Sequence, residues 1–238
     1  MEINPFHIDT LYQVEGKRIA YLMYNEFATG PQNEGTEDTY NKQMKTIFAR
    51  FKAQQPDALI LDLRYNNGGY LQCAQALGSL IAPASSLGKN FVNLQFNAKA
   101  NPQSQAYPLL ESYADANLDL SKVYILTTSH TASASEALVN GLIPYMGKEN
   151  VVLIGERTEG KNVAMKAFRN DTHGITLWPV VAYVSNAENV GDYSDGFEPT
   201  HELIERNIIE WYPLGDTREY LLKNAINLIT TGSIADNS

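Results

Sequence analysis

Residues 123–161 read VYILTTSHTASASEALVNGLIPYMGKENVVLIGERTEGK. The run from Val123 to Thr128 is apolar and β-prone, the pattern of a buried strand. Small and hydroxyl residues follow, and then Ala137, Leu138, Leu142 and Ile143 fall at the spacing of one helical face. A second apolar run, Val151 to Gly155, leads into a polar loop that ends in Gly160-Lys161. Strand, tight turn, helix, strand and loop in this order make a βαβ unit with serines at its strand-to-helix turn. In α/β sheets that turn lies at the carboxyl end of a strand, where sites are usually built.

Ser133 carries two readings. Ser133-Ala134-Ser135-Glu136 matches a capping box, with a hydroxyl at the N-cap and a glutamate at N3. The same position suits a nucleophile, because N–H groups and the dipole at a helix start favour developing negative charge. A serine nucleophile needs a base. By sequence distance His130 and Lys161 are the candidates, and the serine pattern alone does not choose between them. His130 is three residues from Ser133, too close around a turn to face it as a base, which favours a structural role. An ordinary lysine amine titrates near about 10.4, so a lysine base working near neutrality needs surroundings that disfavour its ammonium.

Three blocks in order, LILDLRYNNGGYL at 59–71, VYILTTSHTASASEALVNGL at 123–142 and IGERTEGK at 154–161, resemble the S41 serine peptidases. These are the C-terminal processing and tail-specific proteases. A later segment, GDYSDGFEPTHEL at 191–203, resembles S41-like proteins of Bacteroidetes. The resemblance runs from about Ile19 to about Glu202. It implies an α/β fold: a Clp/crotonase-like core built from βαβ units with additional β-strands. It implies that Ser133 is the nucleophile and Lys161 the general base of a Ser-Lys dyad. It also implies that Gly68 and Gly69 contribute to the oxyanion hole, with the backbone N–H of Ala134 as second donor. Asp62 and Arg64 have matching positions in the family and are expected to support the site rather than do chemistry. One departure stands out. Four residues after the lysine the family usually carries a glutamine that orients the base, and here the position is Met165, which has no useful hydrogen-bonding group. Asn162 is a nearby amide on the wrong register to replace it.

Outside these blocks the reading is coarser. Residues 1–17 are expected to be a lead-in segment, 18–230 the protease core and 231–238 a disordered tail. Arg18 to Tyr24 and Ala58 to Leu63 read as strands, and Asp38 caps a helix to about Lys52. The turn at Asn66-Asn67-Gly68-Gly69 opens a helix to about Ile81; glycines at a helix start let N–H groups approach a ligand. Residues 89–97 read as a strand, 98–106 as a surface loop and 109–116 as a short helix. Gly174 to Tyr183 is β-rich, a stretch beside which an extended substrate can lie. Asp216 to about Thr230 is a closing amphipathic helix.

Composition narrows the function classes. The 238 residues are 44% hydrophobic and 19% charged, enough to bury a sizeable core. The net charge of −9 argues against nucleic acid or an anionic membrane as main partner. No apolar run reaches the ~18 residues of a membrane span. The single cysteine, Cys73, falls in an apolar segment and reads as core packing. The four histidines are scattered, with no metal-site spacing, and the resemblance implies neither a metal nor an organic cofactor. The resemblance to S41 peptidases implies a serine endopeptidase acting through an acyl-enzyme on polypeptide bound in extended form. A catalytically inactive peptide-binding module is the alternative, and an acyl-thioester enzyme on a crotonase-type core is the third reading. The resemblance implies the periplasm or cell envelope. The opening MEINPFHIDTLYQVEGK has no basic region followed by an apolar core, so no signal peptide is expected there; the resemblance, to proteins that often carry a PDZ-like domain before the core, implies an excised or truncated core.

Overall fold

The computed structural model describes residues 4–33, 35–100, 103–205 and 210–234. A six-stranded sheet is its frame. In chain order its strands are β1 (Phe6–Val14), β2 (Lys17–Tyr24), β3 (Ala58–Asp62), β6 (Val123–Thr127), β7 (Val151–Gly155) and β12 (His201–Glu202). Their order across the sheet is β1-β2-β3-β6-β7-β12. β2, β3, β6, β7 and β12 run parallel, and β1 is antiparallel to β2.

The parallel strands are apolar on both faces because both faces are covered. Successive side chains point to opposite sides of a strand. Ala20, Leu22, Leu59, Leu61, Val123, Ile125, Val151 and Leu153 accordingly pack on one face. Ile19, Tyr21, Ile60, Leu126, Val152 and Ile154 pack on the other. Three helices cover the first face: α1 (Thr39–Ala53), α2 (Leu71–Ile81) and α3 (Ala134–Met146). The second face is closed by α4 (Tyr220–Thr231) through Leu221, Leu222, Ala225 and Ile226.

A second sheet stands over α2 and α3. Its order is β5-β4-β11-β8, from β4 (Asn90–Phe96), β5 (Gln105–Pro108), β8 (Val163–Met165) and β11 (Val180–Asn186), and all its pairings are antiparallel. Phe91 anchors it. The ring is fully buried, and methyl groups added at Gly78 of α2 and Gly141 of α3 would both collide with it. Two small residues in helix interiors thus make a slot for one aromatic ring. Between β8 and β11 a hairpin of β9 (Phe168–Asn170) and β10 (Ile175–Leu177) projects with Phe168, Ile175, Leu177 and Trp178 exposed.

Several expectations need correcting. Residues 6–14, expected to be lead-in, form the edge strand β1, whose half-buried pattern hides its period. The loop at 98–106 runs into β5, and the helix at 109–116 is one 3-10 turn, Glu111–Tyr113. The β-rich stretch at 174–183 divides into β10 and β11 at Trp178-Pro179. The tail splits: Thr231 ends α4, Gly232 caps it, and residues 235–238 lie outside the described residues.

Under the sheet's carboxyl end lies a charged cluster. Arg64 is fully buried and bonds to Asp62, to Glu219 at 2.8 and 2.9 Å and to Glu205 at 2.6 Å. Tyr21 adds its hydroxyl to Asp62 at 2.8 Å. Glu219 also caps α4, accepting from the N–H groups of Leu221 and Leu222. The cluster therefore ties the last helix to the loop after β3. Burial alone would raise Glu219, but the Arg64 guanidinium outweighs it and holds the carboxyl below its ordinary 4.5. A carboxyl depressed in the folded state stabilises the fold above its unfolded value and loses that contribution as pH falls through the folded value. Glu219→Gln is expected to cost about 3–5 kcal/mol at neutral pH. Thermal unfolding against pH should show the gap to the unmodified chain closing below about 4.5.

Candidate active site

The loops after β3, β6 and β7 converge at the carboxyl end of the main sheet. The first carries Asn66 to Tyr70, the second the Thr128–Ser133 turn and the third Glu156 to Lys161. Hydrogen bonds bind the first two together. Thr131 Oγ1 donates to the Leu63 carbonyl at 2.9 Å, Thr128 Oγ1 donates to that of Arg64, and the Ala132 N–H donates to that of Asn66 at 3.1 Å. Asn66 is fully buried; its amide donates to the Tyr24 carbonyl at 2.8 Å, and its carbonyl also accepts from Ser135 Oγ at 3.0 Å.

Ser133 sits half-buried at the N-cap of α3 with φ +59° and ψ −111°. A non-glycine residue there is strained, and such strain needs support from its surroundings. The support is Glu136. Its carboxylate is fully buried yet accepts four hydrogen bonds. Oε2 accepts from the N–H of Ser133 at 2.9 Å and from that of Lys161 at 2.8 Å. Oε1 accepts from the Gly160 N–H and from Thr158 Oγ1, both at 2.6 Å. The expected capping box is present, but the glutamate reaches far beyond the cap. It joins the serine turn to the lysine loop across 22 to 25 residues of chain.

Ser133, Lys161 and Gly69 border one cavity of about 580 Å³. Tyr70 and Leu71 line it from the start of α2, and Leu94, Tyr107, Ala164 and Val184 from the second sheet. Met165 and Trp178 stand at its rim, both more than two-fifths exposed. The Asn162 amide is turned away, donating to the Gly191 carbonyl at 2.8 Å. His130 is exposed, and Cys73 is buried in the core, where desolvation pushes its thiol up to about 12.

The two glycines differ. The Gly68 N–H donates to Asn66 Oδ1 at 2.9 Å, so it is committed within its own loop. Gly68 matters for its missing side chain instead. Its φ is +104°, and an added Cβ would stand 2.7 Å from Ser133 Cβ and 2.9 Å from Ala134 N. Gly69 is held by Phe27, whose N–H donates to Gly68 O at 2.9 Å and whose carbonyl accepts from Tyr70 N at 2.8 Å. Among the described residues neither the Gly69 nor the Ala134 N–H has an internal partner. Glu136's long-range bonds and Thr158 are what sequence reasoning missed; the only signal was the glutamate of the capping box.

The architecture, a mostly parallel sheet covered by helices with an antiparallel sheet beside it, is that of a Clp/crotonase-like α/β fold. The model of peptidase family S41 matches residues 18–203, and the chain belongs to that family. It is 25% identical over 218 residues to a carboxyl-terminal-processing protease of Synechocystis, covering 91% of this chain and 45% of that protein. A structure of an S41 protease from Bacteroides fragilis superposes with a TM-score of 0.89 at 39% identity, covering 95% of this chain and 58% of that one. The photosystem II D1 C-terminal processing protease shares the fold, with a TM-score of 0.61 at 20% identity over 86% of this chain and 49% of that one. The chain thus spans about half the length of these relatives.

Replacing Glu136 by glutamine turns one acceptor oxygen into an N–H₂ group facing two N–H or hydroxyl donors. Glu136→Gln is expected to lower stability by about 3 kcal/mol, read by denaturant unfolding, since buried donors lose their partner.

Proposed function

We propose that the chain is the catalytic core of a serine endopeptidase that cleaves polypeptides through Ser133 and Lys161. The observation that carries this reading is the shared cavity, with Ser133, Lys161 and the backbone of Gly69 on its wall. Ser133 Oγ attacks the scissile carbonyl carbon while its proton passes to Lys161 Nζ. The oxyanion accepts from the N–H groups of Gly69 and Ala134, with Gly68 leaving room between them; removing one such donor typically costs about 3 kcal/mol of transition-state stabilisation. The leaving amine takes the proton back from Lys161 as the ester forms at Ser133. Water then attacks the ester carbon with Lys161 again accepting a proton, the acyl C–Oγ bond breaks, and the proton passes from Lys161 to Ser133 Oγ as the peptide acid departs.

The substrate is a polypeptide in extended form. β8 is an edge strand of the second sheet and borders the cavity, so a peptide can add to it through main-chain hydrogen bonds. The family's processing proteases point to the cell envelope as its place of work. Among the described residues no helix is long and apolar enough to cross a membrane. A module that binds peptide without cleaving it is the second reading, and Met165 on the cavity wall favours it.

A serine-directed phosphonate, with the adduct located by peptide mass spectrometry, tests the proposal. Labelling is expected at Ser133, to vanish in Ser133→Ala and to fall at least about 100-fold in Lys161→Ala. Gly68→Ala should also abolish labelling and lower the unfolding temperature, because its Cβ would crowd Ser133 and the backbone at Ala132 and Ala134 where φ is positive. Folded protein that takes no adduct across neutral to alkaline pH would leave only the binding reading.

A further inference from the structure

The segment at 191–199 lies outside the cavity, yet it is bonded to the lysine loop at several points. Thr158, buried at 4% exposure, is where the two meet. Its N–H donates to the Phe197 carbonyl at 3.2 Å, and its Oγ1 accepts from the Phe197 N–H at 2.7 Å. The same Oγ1 donates its one proton to Glu136 Oε1 at 2.6 Å. A hydroxyl has one donor and two acceptor sites, so the direction of this chain is fixed: Phe197 N–H to Thr158 to Glu136. From Glu136 the next links are the N–H groups of Ser133 and Lys161. The contact is also close-packed. A Cβ at Gly196, where φ is +82°, would collide with the Thr158 carbonyl, and one at Gly160 would collide with that of Ser194. Arg157 pairs with Glu198 on the outer side, and Tyr193 stacks on Phe197 with ring centroids 4.9 Å apart.

We infer that Thr158 is a positioning residue: its hydroxyl locks the rotation of the Glu136 carboxylate and thereby sets Lys161 against Ser133, with the 191–199 segment as the fixed support. The Lys161 N–H donates to Glu136 Oε2, so the lysine loop is oriented through its backbone. Valine at 158 keeps the shape but removes both the proton for Glu136 and the acceptor for Phe197. The carboxylate keeps three donors and gains freedom to turn, and the lysine loop loosens with it.

This inference rests on Ser133 and Lys161 being nucleophile and base. The test is the pH profile of phosphonate labelling at Ser133 in the full chain, with thermal unfolding alongside and, once a cleaved peptide is in hand, kcat and KM. Thr158→Val is expected to slow labelling about 10- to 100-fold and to move its pH profile, with KM unchanged. Thr158→Ser, which restores the hydroxyl, should recover most of the loss. Thr158→Ala, which removes the hydroxyl without placing a methyl against Glu136, should act in the same direction and serves if the valine variant does not fold. Labelling of Thr158→Val at the unmodified rate and pH profile would overturn the inference. So would a serine variant as impaired as the valine one, since packing alone would then be the cause. An unmodified chain that takes no label at Ser133 would instead sink the peptidase reading, which the other outcomes leave intact.

Discussion

A buried carboxylate is costly unless its oxygens are satisfied, and Glu136 satisfies both of its own. Its four donors come from two separate loops, so meeting the demand of one charge forces those loops together. The strained backbone of Ser133 depends on the same bond. Without an acceptor for its N–H, little would hold that residue at positive φ. The arrangement turns a local helix cap into the joint between the serine turn and the lysine loop. Placement at a helix start adds the partial positive charge of the first N–H groups, one of which, at Ala134, has no internal acceptor among the described residues.

The sheet supplies the frame for this joint. Parallel strands end together, so the loops after β3, β6 and β7 are neighbours without any further device. Beneath them the Arg64 cluster fixes the loop after β3 from the opposite side, and through Glu219 it uses α4 as a brace. Three carboxylates surround one guanidinium there, which suits a positional role: Arg64 is held from several directions, and its carbonyl receives Thr128 of the serine turn. Asn66 completes the connection by bonding to the end of β2, to Gly68 and to Ser135.

The central βαβ unit was legible because its strands are buried on both faces and its helix has a clear apolar face. Ser133, Lys161 and the double glycine were legible only through the ordered blocks that resemble S41 peptidases. β1 escaped notice because an edge strand with mostly half-buried positions shows no clean alternation. The second sheet was partly visible, but Pro179 breaks its longest stretch and β8 is only three residues long. Gly68 and Gly69 read as a pair, whereas their roles part once Asn66 takes the Gly68 N–H. No local pattern marks Thr158, because its partners are 22 and 39 residues away. Short-range rules read caps and periods; bonds between distant loops are written only in three dimensions.

Part of the cavity wall belongs to a different layer from Ser133 and Glu136. Leu94, Tyr107, Ala164 and Val184 come from the antiparallel sheet, and none of them bonds through its side chain to Glu136 or the serine turn. Phe91 anchors that sheet in its slot between two helices. Substitutions in the wall therefore reshape what the cavity admits without disturbing how the serine is held. A lineage built on this plan can vary the second-sheet lining one residue at a time while the joint between Ser133 and Glu136 stays the same, and the same separation lets an engineer recut that lining independently of the serine turn.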